Sequence, residues 1–163
     1  MPVFFSAVAI MIPTVNIGEY LRLGGVYRDV EGSTPLEIYS NLSAVLNLPP
    51  SVSPRQFYDA LAARELVLST AVGHGVAIPH SQKPLLKDFS EHRIFICYLS
   101  QSIDMKAMDN KKVHTMIIPL TSNTQSHLHV ISQLARLLSQ EDFHKGLELR
   151  YGFNELYPLL RSF

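Results

Sequence analysis

The sequence predicts a layered α/β domain. Three observations carry this: two long apolar runs of strand character, several helix starts marked by Ser/Thr-Pro signals, and the interleaving of helical and extended patterns along the chain. At 163 residues, 47% of them hydrophobic, the chain is of single-domain size and can bury a real core. No repeat, low-complexity tract or long linker divides it.

Residues 1–13 read as an apolar extension ahead of a domain over 14–163. The run Met1 to Ile12 (MPVFFSAVAIMI) is too short to span a bilayer, which takes about 20 residues. It lacks the basic n-region and small-residue cleavage site of a signal peptide. Met11 offers an internal start. The segment is therefore expected to be a start-site error or a tail packed on the domain or a partner. A chain without Met1–Met11 is expected to stay folded and active.

The first helix signal is Thr34-Pro35-Leu36-Glu37, a capping box with proline at the first helical position. Ile38, Leu42, Val45 and Leu46 follow at helical spacing, and Pro49-Pro50 stops the run. Ser53-Pro54-Arg55-Gln56 repeats the start signal, with Phe57, Ala60 and Leu61 on the apolar face and Arg64 beyond Leu61 at the helix end. Val76 to Ile78 is a short strand stopped by Pro79. Arg93 to Leu99 and Val113 to Leu120 are buried strands. Thr121 to Thr124 caps a helix over about 125–140, whose inner stripe is His127, Ile131, Leu134 and Leu138, flanked by Leu128 and Ala135. Helices over about 142–149 and 154–160 close the chain.

Bulk properties exclude several functions. The charges balance, 14 basic against 14 acidic, so the basic excess that holds nucleic acid is missing. The single cysteine, Cys97, rules out an intramolecular disulfide and a cysteine-based zinc site. It sits in an apolar strand and reads as a buried, inert thiol. There is no Gly-x-Ser-x-Gly elbow, no Gly-x-x-x-x-Gly-Lys loop and no Gly-x-Gly-x-x-Gly fingerprint. His127 and His129 could share a face only on a strand. On a helix they diverge by about 200°, so no metal site is expected.

Seven histidines remain as the chemical stock. His92, His114 and His144 read as surface or packing residues, and His129 as solvent-facing. His80 stands apart because of Gly73-His74-Gly75-Val76-Ala77-Ile78-Pro79-His80. Gly73 and Gly75 allow positive φ and close approach of a ligand to the backbone. Pro79 fixes its own φ and holds Ile78 extended. The segment presents an imidazole from a stiff turn, as a nucleophile requires. His127 lies inward in the first turn of a helix, where free N–H groups favour an anion. Arg64 is a planar cation suited to phosphate. Taken singly, each has a bland alternative: a loop histidine, a core histidine and a snorkelling arginine.

Together these residues carry a resemblance. Ser69-Thr70-Ala71-Val72-Gly73-His74-Gly75-Val76-Ala77-Ile78-Pro79-His80 resembles the phosphorylation-site signature of the fructose/mannitol/nitrogen-regulatory enzyme IIA family. Arg64-Glu65 stands where that family carries an arginine, and the stretch Ser126 to Ala135 looks like its second-histidine helix. The resemblance runs from about Asn16 to Leu160. It implies a mixed β-sheet flanked by helices. It implies that His80 accepts a phosphoryl group through Nε2, that His127 assists, that Arg64 neutralises charge, and that Thr70, Gly73 and Gly75 supply backbone to the phosphate site. The implied donor is an HPr-like phosphocarrier; the acceptor is a IIB domain or a regulatory target protein. No cofactor is needed, no membrane insertion is expected, and the protein would be cytoplasmic. The Ser126–Ser132 stretch leans toward the nitrogen-regulatory branch; a free-standing sugar-transport IIA and a docking module without phosphotransfer stay open. Two positions depart from the family pattern: His74, often asparagine, which could bring a third imidazole to the site, and Gln82, where a basic residue is common.

Overall fold

The computed structural model describes residues 14–161 and 163. The expectations for residues 1–13 lie outside the described residues. Asn16 caps α1 (Ile17–Gly24) by accepting the Glu19 N–H, and β1 (Gly25–Val30) follows at once. α2 (Pro35–Val45) starts at Thr34, whose hydroxyl accepts the Glu37 N–H, and α3 (Pro54–Val67) starts at a full capping box between Ser53 and Gln56. β2 (Ala71–Gly73) and β3 (Val76–Ala77) form a short hairpin. β4 (Arg93–Ile103) and β5 (Val113–Leu120) are the long central strands. α4 (Thr124–Leu138), α5 (Glu141–Glu148) and α6 (Phe153–Leu156) complete the chain, with a 3-10 turn over Tyr157–Leu160.

The sheet is mixed and runs β1-β4-β5-β3-β2. β1 and β4 are parallel, β4 and β5 antiparallel, β5 and β3 parallel, and β3 and β2 antiparallel. Alternation along the central strands splits the core in two. Phe95, Cys97 and Leu99, with Met116, Ile118 and Leu120, face Ile38, Leu42, Phe57 and Leu61 of α2 and α3. Ile94, Ile96 and Tyr98, with Ile117, face Leu21 of α1, Val130 and Leu134 of α4, and Phe143 of α5. Cys97 is fully buried, and burial drives its thiol pKa up, so it stays protonated and inert.

Sequence reading missed α1 and the strands β1 and β2, which exist through pairing. α1 ends and β1 begins at two successive glycines, Gly24 and Gly25. A Cβ on Gly24 would lie 2.0 Å from the Ile94 carbonyl oxygen, so the chain can enter the sheet there only without a side chain. A register shift between Tyr27 and Val30 then breaks the period-two pattern. β2 is too short to show a period. β4 runs past Leu99 through polar Ser100–Ser102 because Ile103 still pairs with Val113 beyond a bulge.

One expectation needs correction. The buried stripe of α4 is Ser126, Val130, Leu134 and Leu137. His127, Ile131 and Leu138 lie beside it, half-buried, and Leu128 is 63% exposed. Spacing alone admits either stripe, since both recur at helical intervals. Packing against the sheet selects the one that leaves His127 on a flank, where its ring can reach other groups.

Candidate functional site

His80 follows the β2–β3 hairpin. The Thr70 carbonyl accepts the Ile78 N–H at 3.0 Å, continuing the hairpin pairing past β2 and β3. Pro79 then directs the chain off the sheet and leaves the His80 ring half-buried. Its Nδ1 lies 2.7 Å from the Ile78 carbonyl oxygen. A carbonyl can only accept, so Nδ1 carries the hydrogen. In the neutral ring the lone pair is therefore on Nε2. Burial is the largest influence on this ring and lowers its pKa. The Ile78 carbonyl pulls the other way, Arg64 lowers it further, and Glu65 raises it. The net direction is down, so near pH 7 Nε2 holds a free pair for attack.

The second imidazole is His127. Asn123 caps α4 by accepting the Ser126 N–H, which places His127 in the first turn. The two ring centroids are 5.2 Å apart at an interplanar angle of 46°. His127 Nδ1 lies 3.4 Å from the hydroxyl of buried Thr121, just beyond β5. Its pKa is also lowered, first by burial and then by the neighbouring His80. Each ring makes a proton on the other less favourable. Arg64 is in the last turn of α3 and donates to the Leu68 carbonyl at that helix end. Its cation reaches the His80 ring electrostatically.

The other candidates divide by position. Gly73 and Gly75, with φ of 90° and 81°, form the closed end of the hairpin together with His74, φ 55°. A Cβ on Gly75 would lie 2.4 Å from the His114 ring. The glycines thus serve the turn, at the end of the hairpin away from His80, and Thr70 sits at the open end beside Ile78. His74 brings no third imidazole to the pair: its ring lies edge-on to His144, with centroids 5.6 Å apart. A cleft of about 280 Å3 opens beside His74 and His144, lined also by Val72, Val76, Ile78 and Leu138. His80 and His127 do not line it. His129 is exposed and accepts from the Gln133 amide. His92 is buried, and its Nε2 accepts the Ser122 N–H at 2.9 Å, a packing role. Among the described residues no group of three or more His, Cys, Asp or Glu is placed to hold a metal ion.

Sequence reading placed Thr121 only in the helix cap and gave Glu65 no role. The Glu65 carboxylate accepts from Thr70 and from Tyr39. Its only signal was the pairing of an acid with Arg64 at a helix end.

A half-buried histidine with a fixed tautomer, a second histidine against it and an arginine within electrostatic reach sit together on this mixed sheet. The chain matches the family described as "Phosphoenolpyruvate-dependent sugar phosphotransferase system, EIIA 2" over residues 19–162 and belongs to it. It is a phosphoryl-carrying component of that type. Within the family it is similar to nitrogen regulatory proteins: it is 33% identical to that of Escherichia coli (strain K12) over 128 residues, covering 77% of this chain and 75% of that protein. The crystal structure of nitrogen regulatory protein IIA-Ntr from Neisseria meningitidis superposes with a TM-score of 0.75 at 28% identity, covering 88% of this chain and 98% of that one. A fructose-specific EIIA component of Haloferax volcanii is 34% identical over 91 residues, 55% of this chain and 57% of that protein.

Proposed function

We propose that His80 is the phosphoryl acceptor. It takes the group through Nε2 from the phosphohistidine of an HPr-like carrier, and the phosphorylated state is read by a regulatory target, as in the nitrogen-regulatory branch. The observation that carries this reading is the Nδ1–Ile78 carbonyl bond, which leaves the lone pair on Nε2. In the step, the Nε2 pair bonds to phosphorus as the donor's P–N bond breaks and its electron pair returns to the donor ring. The His80 ring gains positive character while keeping its Nδ1 hydrogen, and the Ile78 carbonyl stabilises that charge. His127 and Arg64 offer hydrogen bonding and positive charge to the phosphoryl oxygens, the contribution such transfers need most. No helix among the described residues is long and apolar enough to cross a membrane, consistent with work in the cytoplasm beside soluble partners.

The Haloferax relative supports a second reading, in which His80 passes the group to a IIB domain for sugar uptake. One experiment separates the outcomes. The protein is incubated with phosphoenolpyruvate, enzyme I and HPr-like carrier, and intact mass and site mapping follow. One phosphate on His80 is expected. Chase with a IIB domain distinguishes onward transfer from retention. No incorporation makes the chain a docking module.

A further inference from the structure

We propose that Glu65 is a positioning residue for His80, acting through Thr70 and Ile78 to hold the ring as the Nδ1–H tautomer; this rests on the reading of His80 as acceptor. The support is a path of hydrogen bonds joined through the backbones of Thr70 and Ile78. It begins in the core at Tyr39, which is fully buried. Burial and the adjacent carboxylate raise its pKa, so its hydroxyl stays a donor. That hydroxyl donates to Glu65 Oε2 at 2.8 Å. The same oxygen accepts the Thr70 hydroxyl at 2.7 Å, and Oε1 accepts the Thr70 N–H at 3.1 Å. The carboxylate thus takes three hydrogens and grips both the side chain and the backbone of one residue.

Thr70 passes the constraint on. It is 4% exposed, and its carbonyl accepts the Ile78 N–H at 3.0 Å across the hairpin. The Ile78 carbonyl then accepts from His80 Nδ1 at 2.7 Å. Ser69, on the other side, accepts the Ala71 N–H and donates to the Met105 carbonyl, so Thr70 is held from both directions. Pro79 between Ile78 and His80 removes one backbone rotation. With the Ile78 backbone placed by Thr70, the direction of the Ile78 carbonyl sets where the His80 ring can sit and which nitrogen carries its hydrogen. Arg64 and Glu65 differ by one residue, about 100° on a helix. One turns to the rim as a cation, and the other turns inward as a brace.

A merely structural glutamate would affect folding stability and nothing else, so the test reads the ring itself. Nitrogen NMR of the His80 imidazole reports its tautomer, alongside the initial rate of phosphorylation by an HPr-like carrier and the melting temperature. Native protein should show a pyrrole-like Nδ1. Glu65→Ala should show mixed tautomers and a rate lower by about 10- to 100-fold, the scale on which small misplacements act. Glu65→Gln should recover most of both, because its amide oxygen can accept the Thr70 N–H and its NH2 can donate to hydroxyls that rotate. If Glu65→Ala does not fold, Tyr39→Phe decides, with a partial shift in tautomer and rate expected. A folded Glu65→Ala, or in its place Tyr39→Phe, with the native tautomer and the native rate, whatever its melting temperature, overturns the inference. If native protein takes no phosphate on His80, the acceptor reading fails, while the tautomer comparison still tests the brace.

Discussion

The protein holds two histidine pairs with nearly the same spacing, His80–His127 at 5.2 Å and His74–His144 at 5.6 Å. In the first, Nδ1 of one ring is tied to a carbonyl two residues back, and the rings are half-buried beside a cation. In the second, both nitrogens of His144 already face acceptors. Nε2 donates to the His74 carbonyl at 3.2 Å, and Nδ1 lies 3.5 Å from the Glu148 carboxylate. His74 itself is exposed on the turn, its backbone N–H held by Asp109 at 2.7 Å. Proximity alone therefore does not tell the two pairs apart. On the proposed reading of His80 as acceptor, what sets the first pair apart is one nitrogen held by a carbonyl while the other keeps its lone pair. The second pair is a clasp between the hairpin turn and α5.

The largest effect should come from exchanging the first pair's acceptor for the second's clasp. His80→Ala should take no phosphate, while His144→Ala should take one per chain at a near-native rate. Intact mass after incubation with the donor system checks both. A phosphate on the His80→Ala protein would break the comparison outright.

A smaller effect should separate the assistants. Loss of one stabilising donor at a transition state typically costs about 100- to 1000-fold in rate. His127→Ala should be slowed by that order yet reach full incorporation with time, and His127→Gln should recover part of the rate. His74→Ala should run like the native chain. Time courses at matched donor concentration decide, and a native rate in His127→Ala would make His127 structural.

The smallest effect concerns acid. Burial lowers the pKa of His80, His92, His114 and His127 in the folded state. The unfolded chain therefore binds more protons between the folded values and the usual value of about 6.5. Stability should rise with pH through that window and be lost as pH falls below about 6.5. Phosphate acceptance should stay level near neutrality and drop in the same acidic range. Urea midpoints at about pH 7.5 and 5.5 measure the first, and initial rates the second. A midpoint unmoved by acid would show that these rings do not pay for their burial. Replacing His127 by Gln should lessen the slope slightly.

Much of this was legible because it is local. The capping boxes at Thr34 and Ser53 set the starts of α2 and α3, since side chain and backbone meet within three residues. The apolar runs at β4 and β5 follow from burial on both faces. The glycine-proline segment singled out His80 because glycine permits positive φ and proline fixes φ wherever they occur. Other features needed partners from afar. β1 depends on Ile94 lying against Gly24, and β2 on β3. The buried stripe of α4 was chosen by the sheet beneath it, because two stripes satisfied the helical period equally. The tautomer of His80, the grip of Glu65 on Thr70 and Tyr39, and the pairing of His74 with His144 join residues up to 70 positions apart. By itself the sequence determined which residues could carry the chemistry. Only the tertiary structure decided which nitrogen is free to perform it, because hydrogen-bond partners and burial belong to the folded chain.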